Sequence, residues 1–151
     1  MADTVSVDYL YPFNLLDSDW NNRAGTKRVV VRLTGTSDAT GETDVVKVDL
    51  SDLKTHDGNA PSRTVVEWME WRVHGMAVKL EWDRAPQSTI ININDIGFNN
   101  ATTETDFRDW TKFGGLADPG DDDRTGDILL TSSYGYSGDT YDIIMCLRLK
   151  D

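Results

Sequence analysis

Period-two alternation of apolar and polar residues is the feature that most restricts this chain. Arg28–Leu33 (RVVVRL) sets Val29, Val31 and Leu33 on one face and Arg28, Val30 and Arg32 on the other. Val45–Leu50 (VVKVDL) repeats the pattern with Val46, Val48 and Leu50, and TIININ and DILLTSS give two further short runs. The run YDIIMCLRLK gathers Tyr141, Ile143, Met145, Leu147 and Leu149 on one side. Alternation at a spacing of two belongs to strands with one buried face. Helical signal is confined to TETDFRDWTKFGG, which reads as an irregular excursion with room for one short turn before Gly114 and Gly115. Pro12, Pro61, Pro86 and Pro119 fall at segment edges, and TGTSDATGETD reads as a long exposed loop. The sum is six to nine short strands in one all-β antiparallel sandwich or jelly roll over residues 26–151, preceded by an extended N-terminal segment, 1–25.

Val65–Trp82, VVEWMEWRVHGMAVKLEW, holds three of the five tryptophans. His74-Gly75 reads as a two-residue hairpin connection, with His74 suited to a positive-φ turn position. That register pairs Val73 with Met76, Trp71 with Val78, Met69 with Leu80 and Glu67 with Trp82. On the opposite face it sets Glu70 against Lys79 and Trp68 against Glu81. Trp71 and Trp82 are then core residues. Trp68 lies on the charged face, either over a lysine or arginine stem or as a contact for another chain.

The chemistry on offer is sparse. Fifteen Lys and Arg against 26 Asp and Glu leave a net charge of −11 in 151 residues, a surface that repels phosphate and argues against a nucleic-acid partner. The lone Cys146 permits no intrachain disulfide and reads as a small buried strand residue. No apolar run is long enough for a membrane span, and MADTVSVDYL lacks the form of an export signal, so synthesis in the cytoplasm is expected. His56 and His74 both fall in turns, and GYSGD misses the spacing of a nucleophile elbow because Asp139 takes the place of its last glycine. No enzymatic role is expected. In DPGDDDRTGDILL, Asp121, Asp123, Thr125 and Asp127 form a weak calcium-loop candidate: Gly126 supplies the turn, but Ser132 stands where a closing Glu is needed. A solvated acidic loop is the alternative, and no other cofactor is indicated.

In order along the chain come KVDLSDL, then GMAVKLEWD within the tryptophan-rich run, then TGDILLTSS, then GDTYDIIMCLRLK. This succession, over roughly residues 28 to 150, resembles a group of small virion-associated structural proteins of tailed bacteriophages, most of all head decoration (cement) proteins. The resemblance implies a β-sandwich on the outer capsid surface, in contact with the major capsid protein and often trimeric. It implies no catalytic residues. The alternative is a tail- or fibre-associated adaptor or carbohydrate-binding module, with Trp68 and the Tyr134/Tyr136 pair stacking on sugar rings. The local chemistry nominates Tyr9, Tyr11, Phe13, Leu15, Leu16, Trp20 and Trp68 as interface residues. The N-terminal members either cover the open end of the sandwich or dock on a neighbouring subunit.

Overall fold

The computed structural model describes residues 4–12, 27–94, 102–120, 122–133 and 135–151. Ten strands follow in chain order: β1 (Thr4–Tyr11), β2 (Arg28–Thr36), β3 (Val45–Val48), β4 (Arg63–His74), β5 (Ala77–Trp82), β6 (Ser88–Ile93), β7 (Thr103–Asp109), β8 (Leu116–Ala117), β9 (Ile128–Ser133) and β10 (Thr140–Lys150). Two single 3-10 turns, Leu50–Asp52 and Thr111–Phe113, are the only helical elements among the described residues.

The strands make two antiparallel sheets. One is six-stranded, in the order β1-β2-β10-β4-β7 with β8 also on β4, and the other is four-stranded, β3-β9-β5-β6. Alternation explains the layering, because each long strand buries one face between the sheets. Val29, Val31 and Leu33 of β2, Met69, Trp71 and Val73 of β4, and Ile143, Met145 and Leu147 of β10 meet Val78, Leu80, Ile128 and Leu130 of the smaller sheet in one core. The all-β sandwich read from the sequence is the fold observed.

Several local expectations are corrected. Residues 65–82 do not form a hairpin. β4 pairs with β10, β7 and β8, whereas β5 pairs with β6 and β9, so the His74-Gly75 link carries the chain from one sheet to the other. Trp71 stands opposite Ile143 and Asp106, and Val78 opposite Ile93 and Ser132. Met69, Trp71, Val73, Met76, Val78, Leu80 and Trp82 are all buried nonetheless, because two strands facing across a core hide the same residues as two paired strands would. The opposed pair Glu70–Lys79 is absent, and Lys79 Nζ lies 3.1 Å from Glu81 instead. The positive φ falls on Gly75 (79°), while His74 is the last residue of β4.

TETDFRD is strand β7 rather than an irregular excursion. In β3 the alternation is broken by a bulge between Val46 and Val48, which exposes Val46 and buries Lys47. Within the loop read as exposed, Ser37 and Glu42 are buried. Glu42 exchanges backbone and side-chain hydrogen bonds with Ser132, and its carboxylate takes Lys47 and the Tyr141 hydroxyl as partners.

Candidate interaction face

The smaller sheet covers one face of the six-stranded sheet, and among the described residues the middle of the other face stands outside the core. Register places the residues of that outer face in rows running across the strands. The first row is Tyr11 on β1, Val30 on β2, Cys146 on β10, Trp68 on β4 and Asp109 on β7. The next is Asp8, Arg32, Ile144, Glu70 and Phe107. Beyond it run Ser6, Thr34, Asp142, Arg72 and Thr105, and then Thr4, Thr36, Thr140, His74 and Thr103.

The first two rows together hold an apolar strip on a sheet whose outer side is otherwise polar. Trp68 is half-buried and its ring lies 6.0 Å from that of Phe107, tilted by 41°. Phe107 and Tyr11 are each 55% exposed. Ile144 and Val30 complete the strip, over the buried Cys146. Burial, and secondarily the Glu67 carboxylate, raise the Cys146 thiol above its ordinary pKa, with Arg28 opposing, so it stays protonated and packs as an apolar side chain. Two local devices shape this strip. A bulge in β4 at Glu67 puts Val66 rather than Glu67 on the core side, with Met69 and Trp71. A bulge in β1 at Leu10 brings Tyr11 opposite Val30.

Fixed ion pairs border the strip. Arg28 Nε donates to Glu67 Oε1 at 2.6 Å, and Arg32 clamps Asp142 through two bonds of 2.9 and 2.6 Å. The hydroxyl-rich rows at the other end floor an open depression of about 680 Å³, lined among others by Ser6, Thr34, Thr36, Thr140, Arg72 and His74. There Ser6 and Thr34 hydroxyls are 2.7 Å apart and His74 Nδ1 bonds the Thr103 hydroxyl.

Tyr11 and Trp68 are thus brought onto one surface. Tyr9 is not, because its neighbour in β2 is Val31 and its ring packs against the core. The Tyr9 phenol is pushed well above its ordinary pKa, first by burial and then by Asp52, Asp49 and Asp127. Phe13, Leu15, Leu16, Trp20 and Tyr134 lie outside the described residues, and Tyr136 is exposed in the turn before β10. Sequence reasoning missed Phe107 and Ile144. Ile144 already falls opposite the inward side of YDIIMCLRLK, but its place beside Trp68 and Phe107 depends on strand order, and Phe107 depends on β7 being a strand.

In the acidic loop, Asp121 lies outside the described residues and Asp123 is exposed. Thr125 donates to Asp83 at 2.8 Å, and Asp127 Oδ1 accepts the Leu50 amide at 2.8 Å. The loop is organised around the buried Arg84, whose guanidinium bonds Asp118 at 2.8 and 2.7 Å and the Arg124 and Ser62 carbonyls at 3.0 and 3.1 Å. Asp122 accepts the amides of Ala85 and Arg124, which hold its carboxyl below the usual range. Among the described residues no three His, Cys, Asp or Glu side chains group to hold a metal ion.

Comparison with protein-family models, with curated proteins and with solved structures found no match to this chain.

Proposed function

We propose that the chain is a non-enzymatic structural protein of a phage particle, a decoration protein that docks on the major capsid protein through the outer face of its six-stranded sheet. The observation that carries this reading is the apolar strip of Trp68, Phe107, Ile144, Val30 and Tyr11, set on one face of the sheet beside the Arg28–Glu67 and Arg32–Asp142 ion pairs. An aromatic centre with a polar rim is the anatomy of a protein-binding surface, in which a few anchors supply most of the energy. The strip does nothing for the core, which is complete on the other face of the same strands. The net charge of −11 suits a position outside a DNA-filled shell better than one inside it. The resemblance of the motif succession to that of phage decoration proteins points the same way.

Repetition over a lattice makes each contact effective even when one alone is weak. Heads stripped of the protein should lose resistance to heat or osmotic shock and regain it when the protein is added back. Trp68→Ala with Phe107→Ala should bind heads at least tenfold more weakly while keeping the fold. Equal resistance of stripped and decorated heads, or absence of the protein from purified particles, would overturn the reading.

The same aromatic pair, with the exposed Tyr136, favours one other role: a tail-associated module stacking on sugar rings. A glycan array separates the two. Glycan binding lost in Trp68→Ala supports the tail role, and head binding without glycan binding supports decoration.

A further inference from the structure

Among the described residues the two sheets have four edges, and β1 is built unlike the rest. β7 carries Glu104, Asp106, Arg108 and Asp109 along its length. β3 is four residues long with a bulge at Lys47, and β6 breaks its register at Ile90. Inward charges, bulges and short length are the devices that stop an edge from pairing with another chain. β1 has eight residues, TVSVDYLY, with one charge at Asp8 and a bulge only near its end. Val5 (42%), Val7 (37%), Leu10 (46%) and Tyr11 (55%) are exposed along it. These are four of the nine large hydrophobic residues that stand exposed among the described residues.

We infer that β1 pairs with β1 of a second copy of this chain, antiparallel about a two-fold axis through Val7. Self-pairing at one edge needs a strand that is complementary to itself, and the register centred on Val7 is. It sets Val5 against Tyr9 on the inner side and Ser6 against Asp8 on the outer side, so a hydroxyl faces the only carboxylate. Centring on Asp8 would oppose two carboxylates, and centring on Ser6 would shorten the paired stretch. An odd register would turn one copy over, placing apolar residues opposite polar ones. Charge selects the same occupant. A chain of net charge −11 recognises a foreign basic partner through carboxylates, of which this edge has one. Two copies meeting along this strand oppose only its single carboxylate on each side.

The joined sheets run continuously from β7 of one copy through both β1 strands to β7 of the other, with both outer faces on the same side. The pairing does not depend on what those faces bind.

Sedimentation or light scattering over a wide concentration range tests this. The wild-type chain should pass reversibly from one chain mass to two. Val7→Lys places a charge at the centre of the junction and should remain monomeric with an unchanged circular dichroism spectrum. Val7→Cys should be captured as a covalent dimer by a short bis-maleimide, since Cys146 is buried and only the new thiols face each other. Should Val7→Lys fail to fold, the cross-link decides alone. A wild-type chain that stays monomeric, an assembly of three chain masses, or a dimer that Val7→Cys does not cross-link would each overturn the inference.

Discussion

Trp68 and Trp71 stand three positions apart in β4 and face opposite sides of it. Trp71 is fully buried, with the Arg108 guanidinium 5.5 Å from its ring centre. Trp71→Ala should cost about 3–5 kcal/mol in a denaturant titration, the range for emptying an aromatic site in a core. Trp68→Ala should cost less than half as much. Arg84 presents a different kind of burial. Its charge is matched by Asp118, whose side chain is entirely hidden. Removing one partner leaves the other charged in a poor solvent, so Arg84→Ala should lose about 3–5 kcal/mol. The double change Arg84→Met with Asp118→Leu should lose less than the single one. Two carboxylates nearby respond to pH with opposite sign. Amide hydrogen bonds depress Asp122, so its contribution is present above the ordinary carboxylate range and fades as pH falls through its folded-state value. Asp122→Ala should therefore melt below wild type at neutral pH, with the gap closing in acid. Burial raises Asp127, with the Leu50 amide opposing it and Asp49 and Asp83 adding repulsion, so the folded state holds its proton more tightly than the unfolded one. Asp127→Asn keeps the acceptor for Leu50 and should melt above wild type at neutral pH, an advantage that shrinks as pH is lowered.

At the scale of elements, the passage from β4 to β5 rests on Gly75. Its φ of 79° is costly for any other residue, and a Cβ there would come within 2.3 Å of the Asp139 carboxylate. Gly75→Ala should destabilise by about 1–3 kcal/mol, measured as a shift in the urea midpoint. This passage also shows how far the sequence could be read. Alternation states which residues of Val65–Trp82 turn inward, and all seven assigned to that face are buried. It does not state whether two consecutive strands are hydrogen-bonded to each other or face each other from different sheets, since both arrangements bury the same set. The partner of β4 is decided by β10, some seventy residues later, and no local pattern carries that information. Bulges were equally hidden. One at Lys47 reverses the faces of β3, and one at Glu67 puts Val66 rather than Glu67 on the core side of β4. The candidate face is therefore legible only in part: chemistry points to Tyr11 and Trp68, while bringing Phe107 and Ile144 beside them needs the strand order. β7 gives no apolar alternation because its inward positions, Glu104, Asp106 and Arg108, are charged.

For the whole molecule, charge and topology set the terms. Fifteen basic groups against 26 acidic ones make the folded state repel itself, and salt screens that repulsion. Added sodium chloride should raise the melting temperature, and should also tighten the proposed pairing through β1. The topology is strongly non-local. Six of the nine connections between the described strands pass from one sheet to the other, so most pairings close long loops. Folding in milliseconds to seconds, as for other sandwiches, is the expectation for stopped-flow fluorescence.

The central place of β10 has a consequence for how the protein is made. β10 lies between β2 and β4 and contributes Tyr141, Ile143, Met145 and Leu147 to the core, yet it is read after the nine other described strands. A nascent chain can pair β1 with β2 early, but the larger sheet has a gap at its centre until residue 150 has left the ribosome. A chain ended after Asp139 should show no cooperative melting transition. The outer strip crosses the same gap, because Cys146 and Ile144 join Val30 to Trp68. Interrupted translation products would therefore lack both the fold and the outer strip.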